Sequence, residues 1–145
     1  DPVNVYAGDY EDAKGSHIVV ITSDNRFAGF LSYWDFDTHI YVEHLAIVEQ
    51  LRSLSLGSQM IRYAMTEICP NILLEVEHPD SPQAIRRIDF YNRLGFYLHK
   101  DIPYIQPPYS PRQSPTPLML MTCGNIRIDT LSHSAPFGSF GHADG

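Results

Sequence analysis

The chain has 145 residues, with 10 Lys+Arg against 17 Asp+Glu, and is 43% hydrophobic, 12% aromatic and 19% charged. That apolar content argues against disorder over most of the length and suits a single domain, residues 1–145, able to bury a core without staples. A formal net charge of -7 argues against a general electrostatic grip on nucleic-acid phosphates and favours a cationic substrate.

No apolar run approaches the ~20 residues that cross a bilayer, and the chain does not open on a basic segment followed by an apolar one, so neither a membrane partner nor export is expected. Cys69 and Cys123 lie far apart with no CxxC or Cys/His spacing, which signals neither a disulfide framework nor a zinc site. A reducing cytoplasm is the expected compartment.

Residues 1–17 mix Gly, Asp and Pro and read as a loose lead-in with one short strand near Val3 to Tyr6. The β-branched run His17 to Thr22, the turn Ser23-Asp24-Asn25 and the aromatic run Phe27 to Trp34 predict a hairpin. After a turn at Asp35 to Thr38, His39 to Val48 predicts a third, central strand covered on both faces and interrupted only by Glu43 and His44. Apolar residues at Leu56, Met60, Ile61, Ala64, Met65 and Ile68 follow the 3.6-residue period of a helix that Pro70 stops.

Asn71 to Val76 reads as a short buried strand, and Ser81-Pro82 as the cap and first residue of a second helix. That helix carries Ala84, Ile85, Ile88, Tyr91 and Leu94, and Gly95 sits where a left-handed cap belongs. Phe96 to His99 starts another strand. Six of the fifteen residues from Pro103 to Pro117 are proline, which predicts a loop, and Leu118 to Thr122 a last strand. The segment 123–145 reads as a flexible tail. The sum is an α/β (α+β) domain with a mixed, mostly antiparallel central sheet flanked by helices.

Chemistry concentrates where the third strand meets the first helix, Leu45-Ala46-Ile47-Val48-Glu49-Gln50-Leu51-Arg52-Ser53-Leu54-Ser55-Leu56-Gly57-Ser58. A turn of small residues opening a helix exposes main-chain N–H groups with the helix dipole behind them, a cradle for a phosphate. Ser53, Ser55, Gly57 and Ser58 would let an anion approach the backbone, and Arg52 sits at the lip. A serine-rich helix start is also simply a good cap.

This junction resembles the acyl-CoA signature of the GNAT superfamily of N-acyltransferases, Arg/Gln-x-x-Gly-x-Gly/Ala after a hydrophobic-Ala-hydrophobic strand. Arg52, Ser55 and Gly57 take the three marked positions behind Leu45-Ala46-Ile47, with serine in place of the middle glycine. Ala84 to Phe96 is similar to the superfamily's second motif helix, ending in Phe90-Tyr91-Asn92-Arg93-Leu94-Gly95-Phe96. Tyr97 to Lys100 and Leu118 to Met121, with the loop Tyr104 to Tyr109 between them, are similar to a poorly characterised bacterial branch of it.

The resemblance implies a GNAT-like fold that takes acetyl-CoA, releases CoA and moves the acetyl group directly to a primary amine of a small molecule or a protein. Main-chain groups of Leu45, Ala46, Ile47 and Val48 would meet the pantetheine arm as an added strand. Arg52 and the amides of Ser53, Leu54, Ser55, Leu56, Gly57 and Ser58 would take the diphosphate, and Arg93 is a candidate for the adenosine 3'-phosphate. Tyr91 would protonate the departing thiolate or hold it by a hydrogen bond.

Glu43 is the favoured base, because burial beside an acyl chain would raise a carboxyl towards neutrality, and His44 is the alternative. Strand neighbours point to opposite faces, so only one of the two should reach the site unless a bulge intervenes. Trp34, Tyr33, Phe36 and Tyr41 are candidates for an acceptor-pocket wall, and Tyr104, Gln106 and Tyr109 for its cover. Related proteins carry a first strand and one or two helices ahead of the hairpin; the lead-in here is too short for these front helices, so the expectation is either that the segment is missing from this chain or that the acceptor site is unusually open. A second copy of the chain is a candidate partner. A non-catalytic acyl-CoA-binding domain that keeps the fold is the alternative function.

Overall fold

The computed structural model describes residues 3–6, 15–102, 105–106 and 116–127, and two compact units emerge, Asp1–Pro70 and Asn71–Gly145. The first is an antiparallel meander of β1 (Val3–Tyr6), β2 (Ser16–Ser23), β3 (Arg26–Asp35) and β4 (Ile40–Ile47), each paired with the next. Asp24 and Asn25 both adopt positive φ, 53° and 62°. Two left-handed residues in a row make the hairpin turn whose twist matches that of the flanking strands. At the next turn Asp37, φ 68°, is held by its N–H donating to Asp35 Oδ1 at 2.9 Å.

Gly29 on β3 is required by close approach. A Cβ there would lie 2.2 Å from the Ala46 carbonyl oxygen and 3.0 Å from Ile47 Cα, so only glycine lets β4 pair at this register. Beyond β4 the chain makes a tight 3-10 turn over Glu49–Leu54 and then α1 (Leu56–Tyr63), which packs on β4 and buries Leu56, Met60 and Ile61.

The predicted helix does not stay α-helical to Pro70. Ala64–Ile68 widens into a π turn closed by Cys69 N–H on the Ala64 carbonyl at 2.9 Å. Thr66 Oγ1 donates to the carbonyls of Arg62 and Tyr63 at 3.0 and 3.3 Å, and a hydroxyl competing for those acceptors favours such a widening. The extra residue shifts the phase of the apolar stripe, leaving Met65 and Ile68 only half-buried.

The second unit contains β5 (Ile72–Glu77), α2 (Pro82–Arg93), β6 (Tyr97–His99), β7 (Ile105–Gln106) and β8 (Thr116–Cys123). β8 pairs antiparallel with β5 and β6, and its first residues pair with β7. The proline-rich stretch therefore holds a two-residue strand where a loop was expected, and the last strand is longer than Leu118 to Thr122. Tyr104 and Tyr109, the residues 7–14 and the tail beyond residue 127 lie outside the described residues.

α2 begins and ends as the sequence predicts. Ser81 Oγ accepts the Ala84 N–H at 3.1 Å and Pro82 fills the first turn. At its other end Gly95, φ 99°, donates to the Asn92 carbonyl and Phe96 to the Tyr91 carbonyl, both at 3.0 Å. Those two bonds define a Schellman cap, whose usual apolar contact is supplied by Phe96 against the Tyr91 ring, edge on with centroids 5.3 Å apart. The segment Tyr91-x-x-x-Gly95-Phe96 is thus a helix stop built into the sequence. α2 packs on β5 and β6 through Ala84, Ile88 and Tyr91, while Ile85, expected on the same stripe, is 46% exposed. Among the described residues no helix is long and apolar enough to cross a membrane.

Candidate functional site

β4 changes character halfway along. Ile40, Tyr41 and Val42 are buried, but His44 and Ala46 are exposed, so this strand is covered on both faces only over its first residues. The change coincides with a register shift, since Ser32 faces His44 while Tyr33 faces Val42, leaving Glu43 as the extra residue of a β-bulge. Trp34 Nε1–H donates to Glu43 Oε1 at 3.0 Å, and Ser32 Oγ lies 3.5 Å from His44 Nδ1, a long contact. Ser32 and Trp34, two residues apart on one strand, share a face. Glu43 and His44 therefore point to the same side of the sheet, which an unbroken strand would forbid.

The main chain after the bulge can be assigned an edge. Val48 N–H donates to the Ala28 carbonyl at 2.7 Å, and hydrogen-bonded pairs alternate along an antiparallel ladder. Ala46 opposite Phe30 and His44 opposite Ser32 are thus the bonded pairs, whereas Leu45 and Ile47 turn their N–H and C=O groups away from β3. Of the four residues expected to offer main-chain groups to a ligand, only Leu45 and Ile47 face that way. Ala46 and Val48 are committed to β3. The Ile47 carbonyl accepts Arg52 Nε–H at 3.3 Å, which ties the exposed arginine to the end of the strand.

Ser55, at the position of the motif's middle glycine, adopts φ 61° and ψ 23°, the left-handed conformation that favours glycine. The serine therefore keeps a glycine-like backbone and does not close the turn. Its side chain makes no capping bond to the start of α1, whereas Ser81 closes the start of α2. The first amides of α1, Leu56, Gly57 and Ser58, precede the first intrahelical bond, Gln59 N–H to the Ser55 carbonyl at 3.1 Å. Ser58 Oγ donates to that same carbonyl at 3.1 Å and so stabilises the turn.

Tyr91, on the second unit, is 8% exposed and lies edge-on to Phe90 and Phe96. Burial pushes its phenol up to about 12, against a smaller opposing pull from the Arg87 charge. It is a protonated hydrogen-bond donor at any physiological pH. Arg93, exposed in the last turn of α2, is placed to complement the negative end of that helix. The outer side of α2 and β6 also form a pocket of about 540 Å³, lined by Ile85, Asp89, Asn92, Tyr97 and Lys100 among others, and Tyr91 does not line it. Of the expected acceptor-wall aromatics, Tyr41 is buried, Tyr33 stacks on His17 at 4.9 Å and Phe36 on His39 at 5.6 Å. Trp34 is bonded to a candidate base, Glu43. Among the described residues no group of His, Cys, Asp and Glu could hold a metal ion.

Sequence reasoning missed Ser32 and the indole–carboxylate bond. Both depend on the register of β3 against β4, and the bulge that sets it leaves no composition signal.

The α/β fold with this strand-to-helix junction is the architecture to which the comparisons with known proteins speak: β4 bulges, turns the main chain of Leu45 and Ile47 away from β3 and leads to a helix start that no side chain caps. The family profile of the acetyltransferase (GNAT) domain matches residues 14–98, more than half of the chain. A GNAT-family protein from Bacteroides thetaiotaomicron is similar at 34% identity and TM-score 0.77, covering 88% of this chain and 76% of that one. A GNAT acetyltransferase from Elizabethkingia anophelis with acetyl-CoA bound shares the fold at 10% identity and TM-score 0.62, over 86% of this chain and 99% of that one. Arabidopsis thaliana Naa50 in complex with the bisubstrate analogue CoA-Ac-MVNAL does so at 14% identity and TM-score 0.56, over 74% and 72%. Comparison with curated proteins gives no match. The chain belongs to the GNAT family of acetyltransferases.

Proposed function

We propose that this protein transfers the acetyl group of acetyl-CoA directly to a primary amine of a small molecule or a protein. The observation that carries the reading is the bulge in β4, which sets Glu43 and His44 on one face immediately ahead of the outward main-chain groups of Leu45 and Ile47. These parts fit the cosubstrate. Leu45 and the Ile47 N–H can pair with the amides of a pantetheine arm as an added strand would. The amides of Leu56, Gly57 and Ser58, with the α1 dipole behind them and Arg52 at the lip, suit a diphosphate.

Acetyl-CoA supplies an activated thioester, and the protein's task is to deliver a neutral amine and receive the leaving thiolate. Glu43 accepts the proton of the ammonium group directly or through water, with His44 as the second candidate. The C–N bond then forms as the C–S bond breaks, and the proton that the nitrogen sheds on becoming an amide passes, directly or through water, to the departing thiolate, which leaves as the CoA thiol. Tyr91 takes the role its motif implies at the thiolate. A thiol ionises near 8.5, so full transfer from a phenol at about 12 would be uphill by about 5 kcal/mol. Tyr91 is therefore better suited to donate a hydrogen bond to the sulfur than to give up its proton outright.

Titration calorimetry with acetyl-CoA and CoA tests the reading, and no heat at about millimolar ligand would overturn it. If binding is seen, thiol release against a panel of amines should reveal turnover, and Tyr91→Phe should lower kcat about tenfold or more with little change in the KM for acetyl-CoA. A protein that binds CoA but transfers to no amine would instead be a non-catalytic acyl-CoA-binding domain. The serine at position 55 favours that second reading, although its left-handed backbone weakens it.

A further inference from the structure

We propose that Trp34 is a positioning residue for proton removal, its indole N–H holding the Glu43 carboxylate so that the second oxygen faces the incoming amine; this rests on the acetyltransferase reading above. The bulge gives the inference its force. An extra residue on a strand has no cross-strand partner of its own, so its side chain would otherwise sample several rotamers. Here the 3.0 Å bond from Trp34 Nε1 to Glu43 Oε1 selects one, and the donor is itself half-buried on a paired strand. An indole has a single N–H and cannot accept, so it fixes one carboxylate oxygen and leaves the other open. It also favours Glu43 over His44 as the base, because His44 is exposed and its contact with Ser32 is 3.5 Å long.

A double-mutant cycle separates positioning from packing. Trp34→Phe keeps an aromatic ring and removes the donor, and should lower kcat about tenfold with the KM for acetyl-CoA unchanged. Glu43→Gln should lower it further, and the double variant should be no slower than Glu43→Gln alone. A purely structural Trp34 would instead slow the Glu43→Gln enzyme by the same factor as the wild type, and that additivity overturns the proposal. Trp34 is the chain's one tryptophan, so its fluorescence reads the bond directly and without turnover. Glu43→Ala should displace the emission maximum of the ligand-free protein, and an unchanged spectrum sinks the proposal even if Trp34→Phe fails to fold. A displaced spectrum in a protein that transfers acetyl to no amine would show that the bond forms, and would overturn the acetyltransferase reading and the positioning role with it.

Discussion

Replacing Ser55 by glycine probes the turn before α1, where this chain departs from its family's motif. At φ 61° a residue with a Cβ is strained by about 1–2 kcal/mol relative to the right-handed region. Glycine removes that strain but loses about 0.4–1 kcal/mol through a more flexible unfolded chain. Nothing else changes sign. The Ser55 side chain makes no capping bond, and the Ser55 carbonyl, being main chain, keeps its bonds from Gln59 and Ser58. The net expectation is about 0.5 kcal/mol of added stability, or roughly 2 °C in Tm for a chain this size. Ser55→Val, β-branched at a left-handed position, should instead cost about 2 kcal/mol and lower Tm by several degrees. Scanning calorimetry of the three proteins, with acetyl-CoA titrated into each, measures both effects. The reasoning fails if Ser55→Gly melts clearly lower than the wild type, or if the valine variant is indistinguishable from it.

Gly29→Ala forces a Cβ to within 2.2 Å of the Ala46 carbonyl, so β3 and β4 must part; a loss of about 3 kcal/mol in urea unfolding and weaker acetyl-CoA binding are expected. Ser81→Ala strands the Ala84 N–H and should cost about 1 kcal/mol, read as a lower urea midpoint with the m-value unchanged. His39, 4% exposed with Nδ1 2.9 Å from Thr38 Oγ1, and His99, bonded through Nε2 to Thr122 Oγ1 at 2.7 Å, both have their pKa lowered by burial. The folded chain then binds fewer protons than the unfolded one, so stability holds above about pH 6.5 and falls as the pH drops below it. Urea midpoints measured from pH 7.5 to 5 should decline, and replacing both histidines by Gln should flatten the decline.

Much of this protein is legible in one dimension, because the signals are local. The Asp24-Asn25 turn, the Ser81-Pro82 start of α2 and its Gly95-Phe96 stop each follow from the conformational preferences of two or three adjacent residues, and the structure bears them out. The paired motifs around Arg52 to Gly57 and Phe90 to Phe96 likewise identify the family before any coordinates. Where the sequence misleads, a non-local choice intervenes. The π turn at Ala64–Ile68 shifts an otherwise regular apolar period, and β7 forms inside a proline-rich run because β8 offers it a ladder.

The chemistry of the site divides in the same way. That Glu43, His44, Leu45 and Ile47 lie near one another is covalent fact, but which of them can act together depends on an insertion of one residue in the pairing of two strands. Alternation along a regular strand puts Glu43 and His44 on opposite faces. Only the tertiary register, with Ser32 against His44 and Tyr33 against Val42, returns both to one side and supplies Trp34 as a donor from 9 residues away. A bulge arises from how two strands fit each other, and neither strand encodes it alone.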